Sequence, residues 1–125
     1  MAKTILFIED EAAMQKTLGE FLTMEGYSVL SALDGELGLA LAKSKLPNLI
    51  LLDLILPKMS GFVVLKKLKE DVTTKQIPVI VLTNLSTMDD IGKVLEYGGT
   101  NYLVKSDHSL KEILDMVNKM MGGPA

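Results

Sequence analysis

Short apolar runs alternate along the chain with longer segments in which apolar residues recur every three or four positions. Three of the runs, "TILFI" (4–8), "LILLDL" (49–54) and "VIVLT" (79–83), are almost wholly apolar. Such runs predict parallel strands covered on both faces, because a strand with one wet face alternates apolar and polar residues. We predict five strands in all, at residues 4–8, 27–32, 49–54, 79–83 and 101–105.

The segments between these runs predict helices. Met14, Leu18 and Leu22 share one helical face, and the same spacing recurs from residue 110 to 121 after Ser109, a residue that favours helix N-caps. Alternating strands and helices predict an α/β fold with a parallel sheet and right-handed crossovers. The predicted helices cover residues 12–25, 35–45, about 62–70, 87–97 and 109–121.

Composition narrows the class of protein. The chain has 125 residues, a net charge of −3 and no cysteine, which excludes disulfides and thiolate metal sites. No apolar run has the length of a membrane span, the N-terminus does not resemble a signal peptide, and the basic residues form no block. We therefore expect a cytoplasmic protein that binds neither membrane nor nucleic acid directly, with one domain at 1–121 and a short tail at 122–125.

Polar residues stand where four of the predicted strands end. Glu9 and Asp10 follow the first strand, Asp53 lies near the end of the third, Thr83 ends the fourth, and Lys105 ends the fifth. Because ligands of open α/β sheets bind at the carboxyl ends of the strands, these side chains should converge.

Three neighbouring carboxylates repel one another and require protons or a cation. Oxygen donors without histidine or cysteine favour Mg²⁺, which keeps several waters and takes one or two carboxylates. The set describes a carboxylate nucleophile that accepts a phosphoryl group, with the metal and Lys105 neutralising charge. We assign Asp53 as the nucleophile because it ends the central strand, and we expect it to be exposed at the sheet's edge.

Each of these residues also has a purely structural interpretation. Asp53 could begin a loop, residues 9–11 could cap the following helix, Thr83 could be a strand residue, and Lys105 a solvated strand end. Their joint occurrence at four strand ends of one sheet favours a functional site.

The chain resembles a response-regulator receiver domain over nearly its whole length. "ILFIEDE" resembles the family's first strand with its acidic pair, and "LILLDLILPKMSG" resembles the phosphoacceptor strand and its loop. "VIVLTN" carries the threonine, and "GGTNYLVK" resembles the segment with the switch aromatic and the lysine. The resemblance implies a flavodoxin-like (βα)5 fold, doubly wound, with the parallel strands in the order 2-1-3-4-5.

The resemblance also implies roles for individual residues. Asp53 would accept a phosphoryl group from a histidine kinase or a histidine phosphotransfer domain, and Thr83 and Lys105 would contact the phosphoryl oxygens. Asp10, Asp53 and the backbone carbonyl of Ile55 would bind Mg²⁺, with Glu9 acting through a metal-bound water. Tyr102 would change rotamer with Thr83, and a downstream protein would bind the face formed by residues 87–97, 101–105 and 109–121. The protein would be a monomer or weak dimer and a signalling switch rather than an enzyme.

Four positions depart from the family pattern: Glu9 where aspartate is usual, Leu56 for a frequent methionine, Asn84 for a smaller residue, and Ser106 for proline. A non-proline cis bond costs about 2.5–4 kcal/mol, so we expect Lys105–Ser106 to be trans.

Two other functions fit parts of this sequence pattern. A haloacid-dehalogenase-type phosphatase needs a second aspartate two residues after the nucleophile, where this chain has Ile55. A receiver-like interaction domain that takes no phosphate would not need to retain Asp53, Thr83 and Lys105. With no helix-turn-helix pattern after residue 121, we favour a stand-alone receiver.

Overall fold

Five parallel strands form the centre of the structure, a computed structural model that describes residues 2–125. The strands are β1 (Thr4–Ile8), β2 (Ser28–Ala32), β3 (Leu49–Leu52), β4 (Val79–Thr83) and β5 (Asn101–Val104). They lie in the order β2-β1-β3-β4-β5, which confirms the predicted flavodoxin-like topology. The order reverses direction beside β1 and β3, so the site predicted at the ends of these two strands lies at the topological switch point.

Five helices connect and cover the strands, and their positions agree with the sequence pattern to within a few residues. None of the helices within residues 2–125 has the length and apolar content that a membrane span requires. The helices are α1 (Ala12–Glu25), α2 (Gly35–Lys45), α3 (Gly61–Glu70), α4 (Met88–Glu96) and α5 (Leu110–Met121).

Side-chain caps set the starts of four helices. Asp34, Ser60 and Thr87 each accept a hydrogen bond from a backbone N–H in the first turn of α2, α3 and α4. Ser109 caps α5 as expected and forms a reciprocal capping box with Glu112. Among residues 9–11, Glu11 does occupy the N-cap position of α1, but its side chain makes no capping hydrogen bond.

Two apolar layers cover the sheet, which explains why its central strands are apolar throughout. Alternate residues of each strand face α1 and α5 on one side or α2, α3 and α4 on the other. On β1, Ile5 and Phe7 belong to the first layer, and Leu6 and Ile8 belong to the second. Burial on both faces leaves no position for an alternating polar residue.

Two strands end earlier than the apolar pattern predicted. β3 ends at Leu52, so Asp53 lies just beyond the strand, although its N–H still donates to the Ile8 carbonyl at 3.0 Å. β5 ends at Val104, and Lys105 begins a single 3-10 turn that extends to Asp107. Asp53 and Lys105 therefore stand on the first residues outside the sheet, where the backbone is free to turn, whereas Thr83 is the last residue of β4.

The start of α3 lies directly on the backbone that carries Asp53. A Cβ atom placed on Gly61 would lie 2.1 Å from the Asp53 carbonyl oxygen and 2.5 Å from the Leu54 Cα. The Gly61 N–H also donates to the Leu54 carbonyl at 2.8 Å. Only glycine permits this approach, so Gly61 helps to place the loop after β3.

Replacement of Gly61 by alanine should therefore displace the loop that carries Asp53. We expect Gly61→Ala to lower the free energy of unfolding by about 1–3 kcal/mol, the usual cost of overpacking. Gly19→Ala is the matched control, because a Cβ there meets nothing within 4 Å and alanine favours a helix by about 1 kcal/mol. Urea unfolding of both variants tests the expectation, and a Gly61→Ala protein as stable as wild type would contradict it.

Candidate functional site

The carboxyl ends of four strands bring the predicted residues to one edge of the sheet. Because β3 lies between β1 and β4, Asp53 is central among them. Glu9, Asp10 and Asp53 each present a carboxylate oxygen, and these three oxygens lie within 4.8 Å of one another. The convergence predicted from the strand ends is therefore present for the three acids.

Asp53 is buried, which corrects the expectation that it would be exposed. Its relative exposure is 6%, because the chain turns immediately after β3 and covers the carboxylate. Oδ1 accepts hydrogen bonds from the Leu54 N–H at 2.7 Å and the Ile55 N–H at 3.4 Å. Oδ2 accepts one from the Lys105 ammonium at 3.1 Å. Hydrogen bonds and a counter-charge, rather than solvent, therefore stabilise the Asp53 carboxylate.

Lys105 bridges two of the acids. Its ammonium forms ion pairs with both Glu9 and Asp53, and its side chain is only 13% exposed. Burial by itself would lower the pKa of Lys105, but the hydrogen bonds and charges of Glu9 and Asp53 outweigh burial and raise the pKa. Lys105 therefore stays charged at neutral pH.

One ammonium does not neutralise three carboxylates, and the pKa of Glu9 is raised. Glu9 is completely buried, and its Oε1 atom contacts the Lys105 ammonium without a well-aligned hydrogen bond. Burial raises the pKa of Glu9 to about 7, with a further contribution from the Asp53 charge that the contacts with Lys105 and the Glu11 N–H only partly offset. The site therefore favours an additional positive charge.

The donor set fits a hard divalent cation. Glu9 and Asp53 are buried, Asp10 is exposed, and all three offer carboxylate oxygens. Mg²⁺ prefers oxygen ligands and retains several waters, so one exposed and one buried carboxylate suit it.

Thr83 and Tyr102 are connected through the backbone of Leu85. The Leu85 N–H donates to the Thr83 hydroxyl at 3.4 Å, and the Tyr102 hydroxyl donates to the Leu85 carbonyl at 2.5 Å. Thr83 is completely buried, while Tyr102 is partly buried against the layer of α2, α3 and α4. A change at Thr83 therefore has a direct route to the Tyr102 ring.

Two further predictions concern the loops around the acids. The Lys105–Ser106 bond is trans, as expected, since residues 2–125 contain no cis peptide. Lys105 nevertheless reaches Asp53, because the 3-10 turn begins at Lys105 itself. The Ile55 N–H points to Asp53 and its side chain is 60% exposed, while a role for its carbonyl stays a prediction.

The sequence interpretation missed Gln15. This residue is buried on α1, and its side-chain amide donates to backbone carbonyls of β1, of Glu9 and of β2. Gln15 lies three and seven residues before Leu18 and Leu22, so it belongs to the apolar face of the helix. A glutamine on an otherwise apolar helix face was the sequence feature that could have indicated this residue.

Comparison with known proteins agrees with this geometry. The profile of the family described as "Response regulator receiver domain" matches residues 5–118. Response regulator PleD of Caulobacter vibrioides is 43% identical over 105 residues, which are 84% of this chain and 23% of PleD. The DNA-binding dual master transcriptional regulator RpaA of Synechocystis sp. is 39% identical over 117 residues, 94% of this chain and 48% of RpaA. The chain thus spans less than half the length of these two curated relatives.

Solved structures give the same result. A CheY-like receiver domain protein from Methanospirillum hungatei JF-1 superposes with a TM-score of 0.91 at 25% identity, covering 98% of this chain and 95% of that chain. The Mn²⁺-bound form of response regulator Rcp1 superposes with a TM-score of 0.81 at 35% identity, covering 94% and 91%. With its acidic cluster, lysine and threonine at the strand ends and a family match over most of its length, this chain belongs to the response regulator receiver domain family.

Proposed function

We propose that this receiver domain is a phosphorylation-dependent signalling switch in which Asp53 accepts a phosphoryl group from a histidine kinase or a histidine phosphotransfer domain. The observation that carries the proposal is the Asp53 carboxylate, buried and oriented by backbone N–H groups and Lys105 beside two further acids. A structural ion pair would not need Glu9 and Asp10 at the same point, because they add unfavourable negative charge.

In the proposed step a carboxylate oxygen of Asp53 attacks the phosphorus of the donor phosphohistidine. The new P–O bond forms as the P–N bond breaks, and the donor imidazole leaves with the electron pair and takes up a proton. Lys105, whose ammonium lies 3.1 Å from Asp53, would neutralise a phosphoryl oxygen, and the Thr83 hydroxyl would donate to another.

Mg²⁺ bound by Asp10 and Asp53, with Glu9 acting through a metal-bound water, would neutralise the charge that gathers on the phosphoryl oxygens. The fit of the acidic cluster supports this assignment. The name of the Rcp1 structure, which records bound Mn²⁺ in a protein 35% identical to this chain, supports it as well. A resident cation would also hold Glu9 in its charged form by adding positive charge beside it.

The contacts of Leu85 support a route from the phosphoryl group to the surface. A phosphoryl oxygen that drew the Thr83 hydroxyl toward Asp53 would weaken its contact with the Leu85 N–H. The Leu85 carbonyl, which accepts from Tyr102, would move with it. Tyr102 would then exchange its present position for one closer to Thr83.

Helix α4 is the element most easily displaced. Val94 is its one buried residue in the structure, and Gly92 lowers its helix propensity. Exposed cation–π pairs hold α4 to α3: Lys93 lies 5.5 Å from the Phe62 ring centroid and Lys66 lies 5.8 Å from that of Tyr97. Each such pair contributes about 0.5–1 kcal/mol, so a modest change at Tyr102 is enough to shift the helix.

The outer surface of α4 supports a protein partner on the face formed by α4, β5 and α5. Met88 is 81% exposed, Leu95 is 63% exposed, and Ile91 lies between them on the same helical stripe. An exposed apolar stripe is typical of a surface that a partner covers. The partner is proposed to be a protein; the DNA-binding activity in the name of RpaA is that of a longer protein, of which this chain spans 48%.

Phosphorylation from a small donor tests the proposed function. Incubation with acetyl phosphate and Mg²⁺ should add one phosphoryl group by intact mass, and Asp53→Asn should abolish the addition. Asp10→Ala should reduce both Mg²⁺ binding and phosphorylation, whereas Asp115→Ala, on the exposed face of α5, should leave both unchanged. A phosphoryl group retained by Asp53→Asn would refute the assignment, and no addition to wild type would favour a phosphorylation-independent interaction domain.

The raised pKa of Glu9 predicts a pH-dependent stability of the metal-free protein. Between about pH 4.5 and 7 the folded protein binds more protons than the unfolded chain, so the free energy of unfolding should fall as pH rises. Each unit of raised pKa corresponds to about 1.4 kcal/mol. Glu9→Gln should remove this decrease, and added Mg²⁺ should reduce it in wild type.

Urea unfolding from pH 4.5 to 8 without metal measures the effect. Glu20→Gln, which replaces an exposed glutamate on α1, is the control and should keep the wild-type profile. Equal profiles for wild type and Glu9→Gln would show that Glu9 does not titrate in this range.

Activation should also be visible in the backbone. On phosphorylation, amide NMR shifts should concentrate in α4, β5 and α5, because Thr83, Leu85 and Tyr102 lead to that face. Tyr102→Phe removes the hydrogen bond to Leu85 and should reduce the changes in α4, while Tyr27→Phe on the opposite layer serves as the control. Shifts confined to α1 and α2 would place the output surface elsewhere.

A further inference from the structure

Gln15 occupies an unusual position for a glutamine. It lies on the buried face of α1 and is 8% exposed, whereas the other buried polar residues within 2–125 are Thr74, which bonds to the Leu68 carbonyl, and three residues of the site. Its Nε2 atom lies 2.8 Å from the Phe7 carbonyl, 3.1 Å from the Glu9 carbonyl and 3.1 Å from the Ala32 carbonyl. One amide group thus ties α1 to the ends of β1 and β2.

The contact with Glu9 acts on the backbone that carries both acids. The Glu9 carbonyl belongs to the peptide unit that ends at the Cα of Asp10, and a peptide unit is planar. Fixing this oxygen therefore fixes the direction of the N–Cα bond of Asp10 and limits the positions that the Asp10 side chain can reach. The Glu9 N–H is held from the other side by the Ala32 carbonyl at 2.9 Å, which also accepts from Gln15.

Docking α1 through a buried glutamine carries a free-energy cost. Its Oε1 atom is buried and has no hydrogen-bond partner in the structure, and a buried unpaired acceptor is destabilising. Leu18 and Leu22 on the same face dock α1 through apolar contacts alone. An apolar residue at position 15 would do the same without leaving Oε1 unpaired, so the amide donors must account for the glutamine.

We propose that Gln15 is a positioning residue for the divalent-cation site, which holds the Glu9–Asp10 backbone so that both carboxylates point toward Asp53. The proposal rests on the proposed function for the identity of the ion. Gln15 itself does not contact the ion; it acts through the Glu9 carbonyl. Groups that orient metal ligands in this indirect way commonly change metal affinity by about 10- to 100-fold.

Two substitutions at Gln15 test separately the role of its amide donors and the role of its side-chain length. Gln15→Met keeps an unbranched side chain of similar length but removes the donors, and Gln15→Asn keeps the amide but shortens the arm by one methylene. Leu22→Ala is the matched control, since Leu22 is completely buried on the same helix face and lies about 10 Å farther along α1. It weakens the docking of α1 without touching the acids.

Titration of the intact chain with Mg²⁺ by calorimetry, repeated with Mn²⁺ by electron paramagnetic resonance, measures the affinity. We expect the dissociation constant to rise about tenfold in Gln15→Met and Gln15→Asn and to change less than twofold in Leu22→Ala. Unchanged affinity in either Gln15 variant that folds would overturn the proposal, as would an equal loss in Leu22→Ala, which would show that Gln15 only docks the helix.

A metal-free measurement keeps this inference separate from the proposed function. The side-chain carboxyl ¹³C signals of Glu9 and Asp10 should move in the Gln15 variants and stay in place in Leu22→Ala. If wild type bound neither ion, the assigned cation would be wrong, and these signals alone would decide whether Gln15 positions the two acids. Unmoved signals would overturn that role.

Discussion

The ammonium of Lys105 lies between the buried carboxylates of Glu9 and Asp53, and the site depends on this shared charge. Without it, two carboxylates removed from water would face each other across the sheet's edge, which is among the most unfavourable arrangements in a protein interior. One positive charge among three acids is still insufficient, and burial, together with the Asp53 charge, raises the pKa of Glu9 to about 7. The same deficit that disfavours the metal-free site favours a divalent cation.

The rest of the molecule holds this arrangement through contacts with the backbone around the acids. Asp53 is oriented by the N–H groups of the two following residues, and α3 begins directly on that loop because Gly61 has no side chain. Gln15 performs a similar task at the end of β1. Rigid placement of charged groups reduces the reorganisation that a reaction requires, which suits the phosphoryl transfer proposed for this site.

Helix α4 is held less firmly than the other four helices. On one face, α1 and α5 bury apolar residues along their length, including Leu18, Leu22 and Val117. On the other face, α2 and α3 each bury several residues, whereas α4 buries Val94 alone and contacts α3 through two cation–π pairs with exposed lysines. A domain built in this way keeps its site while one helix moves, since the low-stability element is separate from the acids.

Fold class and the residues at the strand ends followed from the apolar pattern, and the strand order followed from the resemblance to receiver domains. Doubly covered strands must be apolar on both faces, and the carboxyl ends of parallel strands must meet at one edge. The resemblance to receiver domains rested on residues that are local in the chain, such as Asp53 with its loop and Thr83 with its strand. The predicted ends of two strands differed from the observed ends by one or two residues. The apolar pattern of 49–54, for example, continues past the point where the backbone leaves the sheet.

Burial and pairing at the site were decided only by the tertiary structure. Asp53 was expected to be exposed, yet the turn after β3 and the approach of Lys105 from β5 bury it, and these residues are far apart in the chain. The role of Gln15 could not be predicted, because its hydrogen-bond partners lie on β1 and β2. A single glutamine on an apolar helix face does not identify those partners. Periodicity and composition determine which residues lie on which face of an element; the distances between side chains from different elements, and hence their charges and hydrogen bonds, arise only when the elements pack.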